Sequence, residues 1–182
     1  MTERVANYQR ELTDLLAGTT GKERLFRAAV NAPFQNKVEA ARMYLGIVVL
    51  LVVDSKGVIH RVALSNTELA KGTTSVSVKK FEDIKVPLED ADNVVACAIR
   101  TGTPQATADW HYLFTPALTA EEARFNQAAG AIAYSAVYPL PGKRGGALIF
   151  SYYQYPERIG RVQKRFMAFY SQLVSQHLAA FL

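Results

Sequence analysis

The sequence is nearly free of the residues that build disulfides and metal sites. Cys97 is the only cysteine among 182 residues, which excludes an internal disulfide and suits a reducing compartment. It also excludes a cysteine-pair redox mechanism and a cysteine-rich zinc site within one chain. The three histidines, His60, His111 and His177, lie far apart and lack metal-ligand spacing. We therefore expect no metal site.

Long apolar runs and targeting segments are missing as well. The longest apolar run, Leu45 to Val53, is far shorter than the roughly 20 residues that a membrane-spanning helix needs. It lies in mid-sequence, where it cannot be the apolar part of a signal peptide, and the N-terminus is polar. We expect a cytoplasmic protein without a membrane partner.

The cations are not concentrated in one segment. The formal net charge is +5, and a nucleic-acid-binding chain would be expected to gather such charge on one face. The densest group, Arg158, Arg161, Lys164 and Arg165, falls on an amphipathic helical pattern, which favours a solvated face over a phosphate-contacting stripe. We expect no nucleic-acid partner.

Hydrophobic residues make up 49% of the chain and charged residues 20%, which are ordinary globular values. Apolar spacing predicts helices over 2–16, after Gly21, over 34–44 and over 157–181, the last one entered at Pro156. Two hairpins are predicted, one from Ile47–Val53 and Val58–Leu64, the other from Ala133–Leu140 and Ala147–Gln154.

The middle of the sequence is less regular. Residues 65–80 are polar, with short β-like pieces, and 110–118 look like an aromatic-rich loop. A strand is predicted near 84–88, a helix over 93–100 capped by Asp90 or Asp92, and a helix after Thr119, which forms a capping box with Glu122. With no repeat and no linker, we expect one domain over 1–182, divided into N-terminal helices (1–31), sheet and pocket elements (32–156) and a C-terminal helix (157–182).

This order of elements resembles the GAF domain family. The residues that carry the resemblance are Leu45–Asp54 with Gly57, the Thr-Gly-Thr-Pro that ends Ala96–Pro104, the extended Gln105–Asp109, and Ser135–Gly146 with its Pro-Leu and paired glycines. A PAS-like or profilin-like fold is the nearest alternative. The resemblance implies a mixed α/β protein, more narrowly an α+β fold. Its twisted antiparallel sheet carries the terminal helices on one face and a pocket on the other.

Members of that family bind cyclic nucleotides, bilins, haem, amino acids or other metabolites, and some bind nothing, so the cofactor stays unknown. Asn36-Lys37 and Phe81-Glu82-Asp83 are only superficially similar to the cyclic-nucleotide signature, because no Asp-Glu pair follows Phe81 at the required spacing. Cys97 lies on the wrong element to attach a bilin. Members that reduce free methionine sulfoxide need several cysteines, and this chain has one.

Asp109, Trp110 and His111 form the first candidate ligand site, because they join polar, aromatic and titratable groups after a predicted strand. The alternative is that Trp110 and Phe114 fill the core and His111 is solvated. Arg100 pairs with Asp109, is solvated, or holds an anionic ligand. Tyr134 and Tyr138 have the same strand parity, so they face the pocket together if that side is the pocket side.

Three hypotheses for function remain open. The first is a small-molecule-sensing module that acts through a partner protein and forms a homodimer through its terminal helices, with the seams Val5–Leu16 and Ile159–Leu173 joined in a bundle. The second is a ligand-free interaction scaffold with a GAF-like or PAS-like fold. The third is an enzyme acting through Cys97; we expect no enzyme.

Overall fold

A computed structural model describes residues 3–153 and 159–182. Its α-helices are α1 (Glu3–Ala17), α2 (Lys22–Asn31), α3 (Lys37–Arg42), α4 (Glu68–Val76), α5 (Val94–Thr101), α6 (His111–Phe114), α7 (Ala120–Ala129) and α8 (Arg161–Leu178). The strands are β1 (Leu45–Val53), β2 (Val58–Leu64), β3 (Lys85–Pro87), β4 (Gln105–Thr107), β5 (Tyr134–Leu140) and β6 (Gly146–Tyr152).

The strands form one antiparallel sheet in the order β3-β2-β1-β6-β5-β4. Both predicted hairpins are present, and β1 of the first pairs with β6 of the second. β1 is apolar throughout because both of its faces are covered. Val48 and Leu50 belong to the core beneath the terminal helices, whereas Ile47 and Val49 belong to the core on the other face.

The terminal helices α1, α2 and α8 pack on one face of the sheet, as expected. Tyr8 of α1 stacks on Phe166 of α8 with ring centres 5.9 Å apart, and Phe166 stacks on Tyr170 at 5.6 Å. The two predicted seams therefore meet within one chain. The buried face of α8 is rotated from the predicted seam, because Met167, Tyr170 and Val174 point inward while Val162 is 63% exposed.

Two predictions for the middle of the chain are wrong. Residues 65–80 contain the helix α4 in place of β-like pieces; Thr67 caps it by accepting a hydrogen bond from the Ala70 N–H at 3.2 Å. Ala70 and Thr73 are buried, so tertiary packing outweighs the low helix propensity of its glycine, serine and threonines. The loop predicted over 110–118 contains the short helix α6.

Other local predictions are confirmed or corrected in detail. Thr119 and Glu122 form the expected capping box, and α5 ends at Gly102 with φ of 64°. The cap of α5 is Asn93, not Asp90 or Asp92, because Asp90 accepts the N–H groups of the preceding turn. The predicted entry of the last helix at Pro156 and the position of Thr2 lie outside the described residues.

Candidate functional site

A cavity of about 40 Å³ lies on the face of the sheet opposite the terminal helices. Since a buried water needs roughly 10–15 Å³ measured in this way, the space holds about three water-sized groups. Its floor is the middle of the sheet, and its walls come from α4, the turn after it, α6 and α7. Most of the lining is apolar: Ile47, Val49, Leu64, Phe81, Ile84, Trp110, Leu113, Phe114 and Ile149.

Arg61 of β2 is the charged group in the interior of this cavity. It is only 7% exposed, its Cζ lies 4.1 Å from the ring centre of Phe114, and its Nη2 donates to the Leu113 carbonyl at 3.3 Å. Its buried Nε has no hydrogen-bond partner in the described part of the chain. Burial lowers the pKa of Arg61 to about 9, because the site disfavours the charged form.

Within residues 3–153 and 159–182, no carboxylate compensates this charge. Among the described residues the ion pairs are Arg4–Glu39, His60–Asp54, Lys71–Glu68 and Arg124–Asp109, and none includes Arg61. The described residues that line the cavity include no aspartate or glutamate. A buried cation without an acidic partner is uncommon in a protein interior, because its desolvation is not offset.

A chain of hydrogen bonds fixes the polar part of the floor. The Trp110 Nε1–H donates to Ser135 Oγ at 2.9 Å, and the hydroxyls of Ser135 and Ser151 lie 2.7 Å apart. Ser151 also lines the cavity. The indole ring is therefore held in one orientation against the cavity by a buried polar contact.

The outer rim of the cavity is polar. Asn126 of α7 donates from Nδ2 to Ser77 Oγ at 3.1 Å, which ties the segment after α4 to α7. Lys79 is exposed and lines the same rim, next to Thr74. The rim thus joins a second cation to neutral hydrogen-bonding groups.

The structure places only one of the six candidate site residues in the cavity lining, namely Trp110. Asp109 instead pairs with Arg124, Oδ2 to Nη2 at 2.6 Å, and Oδ1 accepts the His111 N–H at 2.9 Å. The hydrogen bond from Arg124 is the main reason why the pKa of Asp109 lies below its ordinary value. His111 follows in α6, and its buried Nδ1 has no hydrogen-bond partner within the described ranges.

Arg100, Tyr134 and Tyr138 lie away from the cavity. Arg100 donates from Nη1 to the carbonyls of Leu88 and Asp90 at 2.6 and 2.8 Å, so the alternative of a pair with Asp109 is wrong. Tyr134 and Tyr138 share one face, as predicted, but it is the face beneath the terminal helices. There the Tyr138 ring packs edge-on against Phe150 with centres 5.9 Å apart.

Sequence reasoning missed Arg61, although a signal was present. Arg61 has the same strand parity as Ile59, which is 1% exposed, so an arginine on that side of a half-buried strand points toward a core. The register of β1 and β2 shifts between Leu50 and Leu51, opposite Arg61 and Ala63. After this bulge Ala63 belongs to the helix-side core while Arg61 lines the cavity.

No protein-family model matches this sequence, and no curated protein matches it. Solved structures are similar to it in fold. The GAF domain from an Acinetobacter phosphoenolpyruvate-protein phosphotransferase has a TM-score of 0.65 at 11% identity, covering 99% of this chain and 95% of that one. The GAF domain of the cyanobacteriochrome TePixJ has a TM-score of 0.58 at 19% identity, with 92% and 96% covered.

An enzyme is also among the similar structures. The type II free methionine-R-sulfoxide reductase from Thermoplasma acidophilum has a TM-score of 0.56 at 12% identity, covering 90% of this chain and 98% of that one. The chain is therefore a GAF-like domain with the α+β fold that the sequence predicts; at these identities the likeness concerns the fold alone.

Among the described residues, no helix is both long and apolar enough to cross a membrane.

Proposed function

We propose that this chain is a cytoplasmic, non-enzymatic sensing module that binds a small molecule in the cavity beside Arg61. The observation that carries the proposal is the cavity itself, which opens on the sheet face free of terminal helices and joins apolar walls to a few fixed polar groups. That combination is typical of small-molecule sites. The GAF-like fold supports a sensory role, and the signal passes to a partner protein.

The test blocks the rim without touching the floor. Thr74→Phe places a ring at the rim of the cavity, whereas Ser75→Phe places the same ring on the next, exposed residue of α4 as a matched control. Small molecules are extracted from each natively purified protein and compared by mass spectrometry. We expect a stoichiometric compound with wild type and Ser75→Phe that Thr74→Phe lacks. The same compound at equal occupancy in all three proteins contradicts the proposal.

The second candidate is a ligand-free interaction scaffold. It is favoured by the small size of the cavity, about 40 Å³, which large side chains such as Trp110, Leu113 and Phe114 line. A scaffold predicts no extracted compound and no thermal stabilisation of the wild type by amino acids, nucleotides, tetrapyrroles or carboxylic acids. A reproducible shift of Tm that Thr74→Phe removes excludes the scaffold.

A homodimer through the terminal helices is a separate proposal. Tyr8, Leu12 and Phe166 are buried within the chain, so a second copy would have to contact outward residues of α8, such as the exposed Val162 and the half-buried Phe169. We expect light scattering to give the mass of a dimer for wild type and a lower mass for Val162→Glu. A monomeric wild type contradicts this proposal and leaves the ligand site unaffected.

A further inference from the structure

The cavity contains a cation that lacks its usual partner. Arg61 is more than nine-tenths buried, and no aspartate or glutamate of the described part of the chain lines the space in front of it. Its guanidinium is stabilised on one side by the Phe114 ring and by the Leu113 carbonyl, neither of which carries a full charge. A buried charge in a cleft is a candidate for ligand recognition when, as here among the described residues, no acidic side chain offsets the rest of its desolvation.

The unused donors of Arg61 have a geometry that suits a carboxylate. Nε has no hydrogen-bond partner among the residues that the structure describes, and Nη2, which makes one long bond of 3.3 Å to the Leu113 carbonyl, has a second N–H. These two nitrogens form one edge of the planar guanidinium. Two parallel N–H donors on one edge match the two oxygens of a carboxylate, which gives a bidentate pair.

The rest of the lining limits the ligand further. Space for about three water-sized groups fits a short chain, and the walls at Ile47, Val49 and Ile149 are apolar. An ammonium group would find no carboxylate in the lining. A phosphate would bring a second negative charge, while the nearby hydroxyls of Ser151 and Thr73 already bond to Ser135 and to the Ala70 carbonyl.

We propose that the cavity binds a small monocarboxylate, with the carboxylate paired to Nε and Nη2 of Arg61 and a short apolar chain against Ile47, Val49 and Ile149. This inference rests on the proposed sensing function and names the chemical class of its ligand. Lys79 at the rim contributes a longer-range attraction for the anion.

Trp110 provides the readout. It is the only tryptophan of the chain and it lines the cavity, so selective excitation of its indole reports a change in polarity there. The probes are propionate and three relatives that each change one property: propionamide lacks the charge, alanine adds an ammonium, and ethylphosphonate replaces the carboxylate with a phosphonate. Tm is measured in parallel.

The variants separate recognition from folding. Arg61→Met removes the charge, Arg61→Lys keeps the charge but loses the two-donor edge, and Arg165→Met is a control at an exposed arginine of α8. We expect propionate alone to give a saturable change in wild type and in Arg165→Met. The change disappears in Arg61→Met, and in Arg61→Lys the affinity falls at least about tenfold because a point charge replaces the bidentate pair.

Several results overturn the inference. One is that propionamide or ethylphosphonate binds as tightly as propionate. Another is that the affinity for propionate is unchanged in Arg61→Met or Arg61→Lys. A third is that no straight-chain monocarboxylate from acetate to hexanoate gives a response. The comparison among probes uses the wild type and so holds even if a variant fails to fold. A compound that copurifies with wild type and Arg61→Met, but not with Thr74→Phe, overturns the carboxylate assignment and keeps the sensing function.

Discussion

The guanidinium carbon of Arg61 lies 4.1 Å from the centre of the Phe114 ring, and this aromatic face is the main compensation for a charge buried in an apolar cavity. Such a contact contributes about 2 kcal/mol or more when it is desolvated. The desolvation of an unpaired ion costs several kcal/mol. Without a ligand, Arg61 therefore lowers the stability of the fold.

Arg61→Met is expected to stabilise the ligand-free protein by about 1–4 kcal/mol at neutral pH, because it exchanges a buried charge for an apolar side chain of similar length. The effect depends on pH. The pKa of Arg61 is about 9 in the folded protein and higher in the unfolded chain, so between the two values the unfolded chain binds a proton that the folded chain does not.

The stability of the wild type therefore rises with pH relative to Arg61→Met above about pH 9. Urea unfolding of both proteins at neutral pH and near pH 10 measures the difference. A variant that is less stable than wild type at both pH values contradicts the assignment of Arg61 as an uncompensated charge.

Tyr152 and Tyr170 allow the free-energy cost of burying a hydroxyl without a hydrogen-bond partner to be measured against that of a bonded one. Both are fully buried beneath the terminal helices. The Tyr170 hydroxyl donates to the Ala29 carbonyl at 2.9 Å, whereas the Tyr152 hydroxyl has no partner among the described residues. We expect Tyr152→Phe to raise the free energy of unfolding by about 1 kcal/mol and Tyr170→Phe to lower it by about 1 kcal/mol. Equal effects of the two substitutions in chemical denaturation would contradict this expectation.

Asp54 makes the turn between β1 and β2 sensitive to acid. Its Oδ1 accepts the Val58 and Lys56 N–H groups at 3.0 and 2.8 Å, and His60 Nε2 lies 2.8 Å from its Oδ2. These bonds, chiefly the one from Val58, lower its pKa from 3.8 to about 2. The stabilisation is complete above pH 3.8 and is lost as the pH falls toward 2, because the unfolded chain takes up the proton first.

Urea unfolding from about pH 5 to pH 2 is therefore expected to show a smaller loss of stability for Asp54→Asn than for wild type. The asparagine keeps an acceptor oxygen for the turn but does not titrate. Parallel pH profiles for the two proteins would show that Asp54 does not contribute to acid sensitivity.

Asn93 links the start of α5 to the segment after α6. Its Oδ1 accepts the Val95 and Ala96 N–H groups, and its Nδ2 donates to the Thr115 carbonyl at 2.7 Å. Asn93→Ala removes the cap and leaves buried groups without partners, at a cost of about 2–3 kcal/mol. Asn93→Ser keeps a capping oxygen and is expected to lose less in thermal or urea unfolding; a loss equal to that of alanine contradicts the capping role.

Features that depend on a few neighbouring residues could be predicted from the sequence. The turn at Asp54–Gly57, the capping box of Thr119 and Glu122 and the hairpin strands follow from local backbone chemistry. The helix α4 could not be predicted in this way, because its glycine, serine and threonines oppose helix formation and the burial of Ala70 and Thr73 compensates for them.

The candidate site depended on information that parity alone does not provide. Alternation predicts that Tyr134 and Tyr138 share a face, but which face the helices cover is decided by packing between distant segments. The role of Arg61 likewise depends on which side chains surround it in the folded chain. The sequence alone does not show that none of the described carboxylates lies beside it. Trp110 could be predicted as a cavity-lining residue because a large aromatic side chain suits a pocket wall on either face of the sheet.

The sheet is a single layer of backbone, and β1 has no solvent-exposed side. Ile47 and Val49 border the cavity, while Val48, between them in sequence, is packed beneath the helical layer. Close-packed side chains transmit displacement rather than absorb it. A ligand in the cavity would therefore contact one face of a single layer of backbone, and α2 and α8 pack on the other face of that layer.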